Sequence, residues 1–306
     1  MNTDLPFVIH QSGINAWDCD ENGHLNVRHY FAKTYQGLIH LLAELGLTRN
    51  RLDSLNAKPV LVDQHVRLHK EVRLAVPVTI RGALVSQAGS RVTLYAEIRH
   101  SFEETLFATA TSDFEITDRT SGEPIDVDII RSITNFELPP EGMVKSLGPE
   151  DKPIFSAAQA RDIGYIETAR GTVMGEECNR EGDMEAYQYT GRISDAIPNL
   201  MASMQSSEEF ALRSSGELGG AVVEIRVDYY NPLTVGSRFV ILSGLRSFTQ
   251  KIMRLSHLVF DLDGDRLVLH SQGIAVALDL KTRRTVAFSD DRIERMHKRQ
   301  LTLVES

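Results

Sequence analysis

Three side chains near the N-terminus, Asp20, Asn22 and His24, alternate along the run Asp18-Cys19-Asp20-Glu21-Asn22-Gly23-His24-Leu25-Asn26. In a turn or an extended segment, a spacing of two directs side chains to the same side, so this carboxylate, amide and imidazole can converge on one cleft. A carboxylate can activate water, and an imidazole can polarise a carbonyl group. The run therefore predicts chemistry on an activated acyl group. The competing interpretation is that Asp18, Asp20 or Asn22 only caps the helix that follows.

The segment from Val27 to Leu45 is predicted to be the helix that positions these groups. Its apolar residues recur at spacings of three and four, and Gly46 fits its C-terminal end. The helix would have about 19 residues and a length of roughly 28 Å, enough to lie across a sheet. The backbone N–H groups around Leu25 to Val27 are expected to lack acceptors, so they could stabilise a developing oxyanion.

Strands rich in Val, Ile, Leu, Thr and Tyr surround this helix in the sequence. One is predicted at 7–17, and four more follow the helix at 59–71, 76–87, 90–102 and 105–117. A long helix followed by an antiparallel meander, without alternating βαβ units, indicates an α+β fold.

The same order of elements recurs in the second half of the chain. A strand near 160–176 precedes a helical run from about Ala186 to Met204, which Pro198 is expected to kink or end. Four further strands are predicted at 219–231, 237–248, 250–261 and 266–279. Cys178 follows Cys19 by 159 residues, and the shared order of elements indicates an internal duplication. We therefore predict a first domain at 1–135, a linker at 136–158 and a second domain at 159–306.

The polar run and the helix after it resemble the start of a hotdog-fold acyl thioesterase of the 4-hydroxybenzoyl-CoA thioesterase type. The spacing of Asp20, Asn22 and His24 is also similar to the active-site run of plant acyl-ACP thioesterases, which are likewise tandem hotdogs. The resemblance covers nearly the whole chain, although the motif itself is short. It implies a tandem, or double, hotdog in which each half is a long helix wrapped by a curved antiparallel sheet.

The resemblance also implies an activity and a set of site residues. The chain would hydrolyse the thioester of an acyl-CoA, or of an acyl carrier, by carboxylate-assisted attack of water. Asp20 would be the general base or a nucleophile, and Glu71, which matches the position of a further carboxylate in these families, is the alternative for that role. Asn22 would orient the water, and His24 would polarise the carbonyl. The substrate would contact the start of the helix, at Leu25, Asn26, Val27 and Tyr30.

The second half departs from this motif at each functional position. Asn179 replaces Asp20, Glu181 replaces Asn22 and Asp183 replaces His24. We expect this second site to be altered or silent, although a separate site that uses Glu181 and Asp183 stays open.

Composition narrows the classes of function. The 306 residues carry a net charge of −9, so nucleic acid is not an expected partner. The sequence has no signal peptide and no apolar run of the roughly 18 residues that span a bilayer, so we expect a cytoplasmic protein without a membrane partner. Two cysteines without a C-x-x-C pair, and histidines without ligand spacing, predict no metal, and no cofactor is expected.

Two alternative functions and the assembly stay open from sequence. A hydratase or lyase on the same fold would add water to an enoyl thioester, and a non-catalytic protein would only bind the acyl thioester. A homo-oligomer of double-hotdog chains is compatible with the resemblance.

Overall fold

The chain consists of two compact units, residues Met1–Lys145 and Ser146–Ser306, in the computed structural model. The structure describes residues 7–20, 22–129, 136–149 and 156–302. The predicted end of the first domain, at residue 135, and part of the predicted linker lie outside the described residues. Each unit is described by itself below.

The first unit contains two helices and a five-stranded antiparallel sheet with the order β1-β3-β4-β5-β2. A single 3₁₀ turn (Ala16–Asp18) lies between its first strand and its long helix. Its elements are β1 (Phe7–Gly13), α1 (Val27–Glu44), α2 (Arg49–Ser54), β2 (Ala57–Leu68), β3 (Pro77–Ala88), β4 (Arg91–His100) and β5 (Leu106–Asp118).

The second unit repeats this sheet order, β6-β8-β9-β10-β7, and adds a short strand beside β10. A 3₁₀ turn (Gly175–Glu177) again lies between the first strand and the long helix. Its elements are α3 (Ala157–Asp162), β6 (Ile166–Thr172), α4 (Ala186–Ala202), α5 (Ser207–Ser214), β7 (Leu218–Tyr229), β8 (Arg238–Phe248), β9 (Ile252–Asp261), β10 (Arg266–Asp279), β11 (Arg284–Val286) and α6 (Asp290–Arg299).

Helix α1 packs its apolar face onto β1, β3 and β4, as the spacing of its apolar residues predicts. Phe31, Leu38 and Leu41 are completely buried on this face. Glycines allow the close approach, because a Cβ atom on Gly82 would lie 2.8 Å from Ile9 Cδ1 and 3.0 Å from Leu41 Cδ2. The helix is therefore fixed against the sheet by interdigitated side chains over bare backbone.

Irregularities in the strand pairing recur at equivalent positions of the two units. The β1–β3 register shifts between Val8 and His10, and the β6–β8 register shifts between Glu167 and Ala169, 159 residues later. A β-bulge is a local feature that a strand of unrelated origin has no reason to share. The predicted duplication therefore extends to details of the backbone.

The expectation that Pro198 kinks or ends the second long helix is wrong, because α4 runs as one helix from Ala186 to Ala202. Proline removes one backbone donor, but Ala196, Leu200 and Met201 bury the surrounding turns. Tertiary packing of this face offsets the lost hydrogen bond. Among the helices that the structure describes, none is long and apolar enough to cross a membrane.

Candidate active site

The polar run folds into a tight turn between the 3₁₀ turn and α1. Cys19 and Leu25 form a backbone bridge across its base, and Asp20 N–H donates to the His24 carbonyl oxygen at 2.8 Å. Gly23, at φ 72°, supplies the left-handed conformation that closes the turn. The turn thereby holds Asp20 and His24 side by side.

The carboxylate of Asp20 caps this turn. Its Oδ1 accepts the backbone N–H of Asn22 at 2.9 Å and that of His24 at 3.1 Å. Its Oδ2 accepts no hydrogen bond from any described residue, and the side chain is 27% exposed. The capping interpretation is therefore correct for Oδ1, while Oδ2 can still receive a proton.

The imidazole of His24 lies between two carboxylates. Its Nε2 is 3.6 Å from Glu71 Oε2, and its Nδ1 is 4.0 Å from Asp20 Oδ1. His24 is 12% exposed and Glu71 is 37% exposed, so the group opens to solvent on the side of Glu71. Glu71 comes close because the backbone of His24 bridges that of Arg73, two residues further along the chain. Asn22 contributes its backbone N–H to the turn, and its side chain is exposed.

The expectation of unsatisfied N–H groups from Leu25 to Val27 is wrong for the first two. Leu25 N–H donates to the Val72 carbonyl oxygen at 2.8 Å, and Asn26 N–H donates to that of Asp18 at 2.9 Å. Asn26 is instead the helix N-cap, since its side chain accepts the N–H of Arg28 at 3.0 Å. Among the described residues, Val27 N–H alone of the three has no acceptor.

Two residues that were expected to contact substrate, Leu25 and Tyr30, are buried, each 4% exposed. The Tyr30 hydroxyl accepts the Val72 N–H at 3.3 Å, and burial raises the pKa of this phenol. Both residues therefore hold the loop after β2 against α1. Their positions fix where Glu71 lies relative to the turn.

A buried ion pair that the sequence analysis missed anchors the turn to the helix. Asp18 Oδ2 lies 3.4 Å from Lys33 Nζ and accepts the Asn15 N–H at 3.1 Å. Its Oδ1 lies 3.5 Å from His29 Nδ1, and burial is the main reason that the pKa of His29 is lowered. The signal was present in the duplication, because acidic Glu177 and basic Arg192 stand 159 residues after Asp18 and Lys33.

The equivalent turn of the second unit keeps this frame. The guanidinium of Arg192 donates to both carboxylate oxygens of Glu177, at 2.8 and 2.7 Å. Leu233 N–H donates to the Tyr189 hydroxyl at 2.8 Å, as Val72 does to Tyr30. The frame is thus common to both units, and its residues are required by the fold.

The groups with catalytic potential are absent from the second turn. Asn179 Oδ1 accepts the N–H groups of Glu181 and Asp183, both at 3.0 Å, so an amide caps this turn as well as a carboxylate does. Glu181 pairs with Arg180 at 2.7 Å, and Asp183 bridges Thr234 through its backbone. Within the described residues, no cluster of three or more His, Cys, Asp or Glu side chains could hold a metal.

Comparison with known proteins identifies the family. The family model described as the thioesterase-like superfamily matches residues 14–141 and again residues 173–296. The chain therefore belongs to the thioesterase-like superfamily and carries its domain twice, which confirms the resemblance to a tandem hotdog thioesterase.

Two solved structures show the same fold over most of the chain. An acyl-ACP thioesterase from Bacteroides thetaiotaomicron is 12% identical with a TM-score of 0.66, covering 87% of this chain and 96% of its own. The 12:0-ACP thioesterase from Umbellularia californica is 10% identical with a TM-score of 0.66, covering 88% of this chain and 93% of its own. At such identities the similarity concerns the fold alone. A search of curated proteins found no match.

Proposed function

We propose that the first unit hydrolyses an acyl thioester, with acyl-CoA as the substrate class, at Asp20, His24 and Glu71. The observation that carries the proposal is the position of the His24 imidazole, 3.6 Å from one carboxylate and 4.0 Å from the other. The family supports the reaction class, since the thioesterase-like superfamily model matches both halves of the chain.

In the proposed reaction Asp20 is the general base. Its Oδ1 is held by two backbone N–H groups, which leaves Oδ2 to take a proton from a water molecule that Asn22 orients. The water oxygen bonds to the thioester carbon, the C–S bond then breaks, and the thiolate leaves and is protonated. Glu71 is the alternative base, because it lies on the more exposed side of His24.

The developing oxyanion is stabilised by two donors in this proposal. One is the imidazole of His24, which is oriented by the carboxylates on either side. The other is Val27 N–H, at the positive end of the α1 dipole. Leu25 and Asn26 take no part, since their N–H groups already donate within the protein.

We also propose that the second turn is silent, and that both units are hotdogs whose sheets curve around α1 and α4. The second turn keeps the hydrogen bonds of the first through Asn179 but has Asp183 where the first has His24. Pro232 stands where the first unit has Glu71.

The test is thiol release from a panel of short-chain, long-chain and aryl acyl-CoA thioesters. Asp20→Asn should lower kcat by about 10²- to 10⁴-fold. The variant should fold normally, because Asn179 already forms the same two hydrogen bonds in the second turn. The matched control is Asp183→Asn, which should leave turnover unchanged.

The same assay separates the alternatives. If Asp20→Asn retains near-normal turnover while Glu71→Gln loses it, the base is Glu71. Hydration of crotonyl-CoA without thiol release would identify a hydratase. Binding of acyl-CoA with no turnover by the parent protein would reduce the turn to a helix cap.

A further inference from the structure

Three basic residues, Arg28, Lys70 and Arg73, surround the candidate site of the first unit. Arg73 is backbone-paired with His24, and Lys70 directly precedes Glu71. Arg28 lies in the first turn of α1, where its N–H donates to the N-cap residue Asn26. The structure therefore brings cations to both sides of the polar turn.

None of these cations is kept in the second unit. Tyr187, Asn231 and Thr234 occupy the equivalent positions. The equivalence is structural, since Asp183 bridges Thr234 in the way that His24 bridges Arg73. Because the second turn folds with the same backbone hydrogen bonds, the fold does not require the positive charge.

Lys70 and Arg73 are exposed, and no carboxylate of the described residues forms an ion pair with either. Their positive charge stands out in a chain with 33 basic and 42 acidic residues. Like His24 and Glu71, they are found only in the unit with catalytic potential. Cations that the fold does not need, placed at the mouth of a site, favour an anionic ligand.

We propose that Lys70 and Arg73, with Arg28, bind the phosphate groups of the coenzyme A portion of the substrate. This inference rests on the proposed thioester hydrolysis and names the thiol portion that the site accepts. Ammonium and guanidinium groups are suited to phosphate oxygens. Several cations match the several phosphates of coenzyme A better than the single phosphodiester of a carrier-bound arm. The net charge of −9 also disfavours an acidic carrier protein.

The experiment compares one acyl group on three thiols: coenzyme A, pantetheine, which has no phosphate, and an acyl carrier protein. Lys70→Gln/Arg73→Gln should lower kcat/KM for acyl-CoA about tenfold or more, mainly through KM. It should leave kcat/KM for acyl-pantetheine unchanged. Arg49→Gln is the control, since it removes a cation of α2 that is 79% exposed.

Two outcomes would overturn the inference while leaving the hydrolysis proposal intact. One is an equal loss on acyl-CoA and acyl-pantetheine, which would mean that the cations act on the carboxylates of the site. The other is a loss confined to the acyl carrier protein.

Binding of free coenzyme A, measured by calorimetry, decides the inference if no thioester is cleaved. Tighter binding of coenzyme A than of pantetheine, weakened about tenfold by the double substitution, would support the phosphate site even where the proposed hydrolysis fails. Equal and unaltered binding would refute it.

Discussion

His24 and Glu71 form a histidine–carboxylate pair, with Nε2 and Oε2 3.6 Å apart, that has no counterpart at Asp183 and Pro232 of the second unit. The two residues are 47 positions apart in sequence and meet because the backbone of His24 pairs with that of Arg73. The duplicated turn without this pair has the same hydrogen-bonded frame. The pair is therefore an addition to the fold and can be removed without dismantling it.

His24→Asn and Glu71→Gln should each lower kcat for thioester hydrolysis by about 10²-fold or more. If the two side chains act as one unit, the double variant should lose little more than the worse single variant. Initial rates of thiol release for the four proteins measure the coupling. Fully multiplicative losses would show that the residues act independently. Asp183→Asn/Pro232→Ala is the matched control.

Lys33→Met should destabilise the first unit by about 3 kcal/mol, because it leaves the buried carboxylate of Asp18 without its cation. Lys33→Arg should cost much less, since the second unit uses Arg192 with Glu177 at the same place. The urea midpoints of the two variants provide the measurement. Equal midpoints for Met and Arg would mean that the charge of residue 33 does not matter.

Gly82→Ala should destabilise the first unit by about 1–3 kcal/mol, because the added methyl group would meet Ile9 Cδ1 at 2.8 Å and the Tyr95 carbonyl oxygen at 3.2 Å. Ile9→Val removes the Cδ1 atom and should partly restore stability in the double variant. Gly13→Ala, with nothing within 4 Å of the added atom, is the control for a glycine of the same sheet. Thermal denaturation of the four variants tests this, and equal losses for residues 13 and 82 would contradict it.

Acid should destabilise the second unit through His257. Burial, together with the nearby charge of His270, lowers the pKa of His257 to about 3 from 6.5. The unfolded chain therefore binds the proton more readily, so stability is intact above pH 6.5 and falls as the pH drops toward 3. The loss should be about 3 kcal/mol between pH 6.5 and 4.5.

The variant that tests this is His257→Gln, which can still accept a hydrogen bond from Ser243, now 2.8 Å from Nδ1. Its urea midpoint should depend less on pH over the same range. A pH dependence parallel to that of the parent protein would exclude His257 as the acid-sensitive group.

Local pattern determined much of the architecture. The apolar spacing placed the first long helix at 27–45, and the structure has it at Val27–Glu44. The strand predicted at 76–87 is observed at Pro77–Ala88. These features are encoded within single segments, because periodicity records which side of a segment is buried. The duplication was also readable, since equivalent residues recur at a constant interval.

Partners distant in sequence were decided by the tertiary structure. The helix amides of Leu25 and Asn26 were expected to be available, but Val72 and Asp18 supply their acceptors. Pro198 was expected to break a helix that packing keeps whole. Hydrogen bonds and contacts between distant segments depend on how elements dock, which no local spacing specifies.

For the candidate site, the sequence alone determined which chemical groups the first turn has and the second lacks. It named Asp20, His24 and Glu71 from their types and positions. Only the folded chain decided that Asp20 also caps the turn, that His24 lies between the carboxylates, and that a buried Asp18–Lys33 pair supports them. The reason is physical: residue type fixes what a group can do, whereas distance, burial and hydrogen-bond partners are properties of the packed structure.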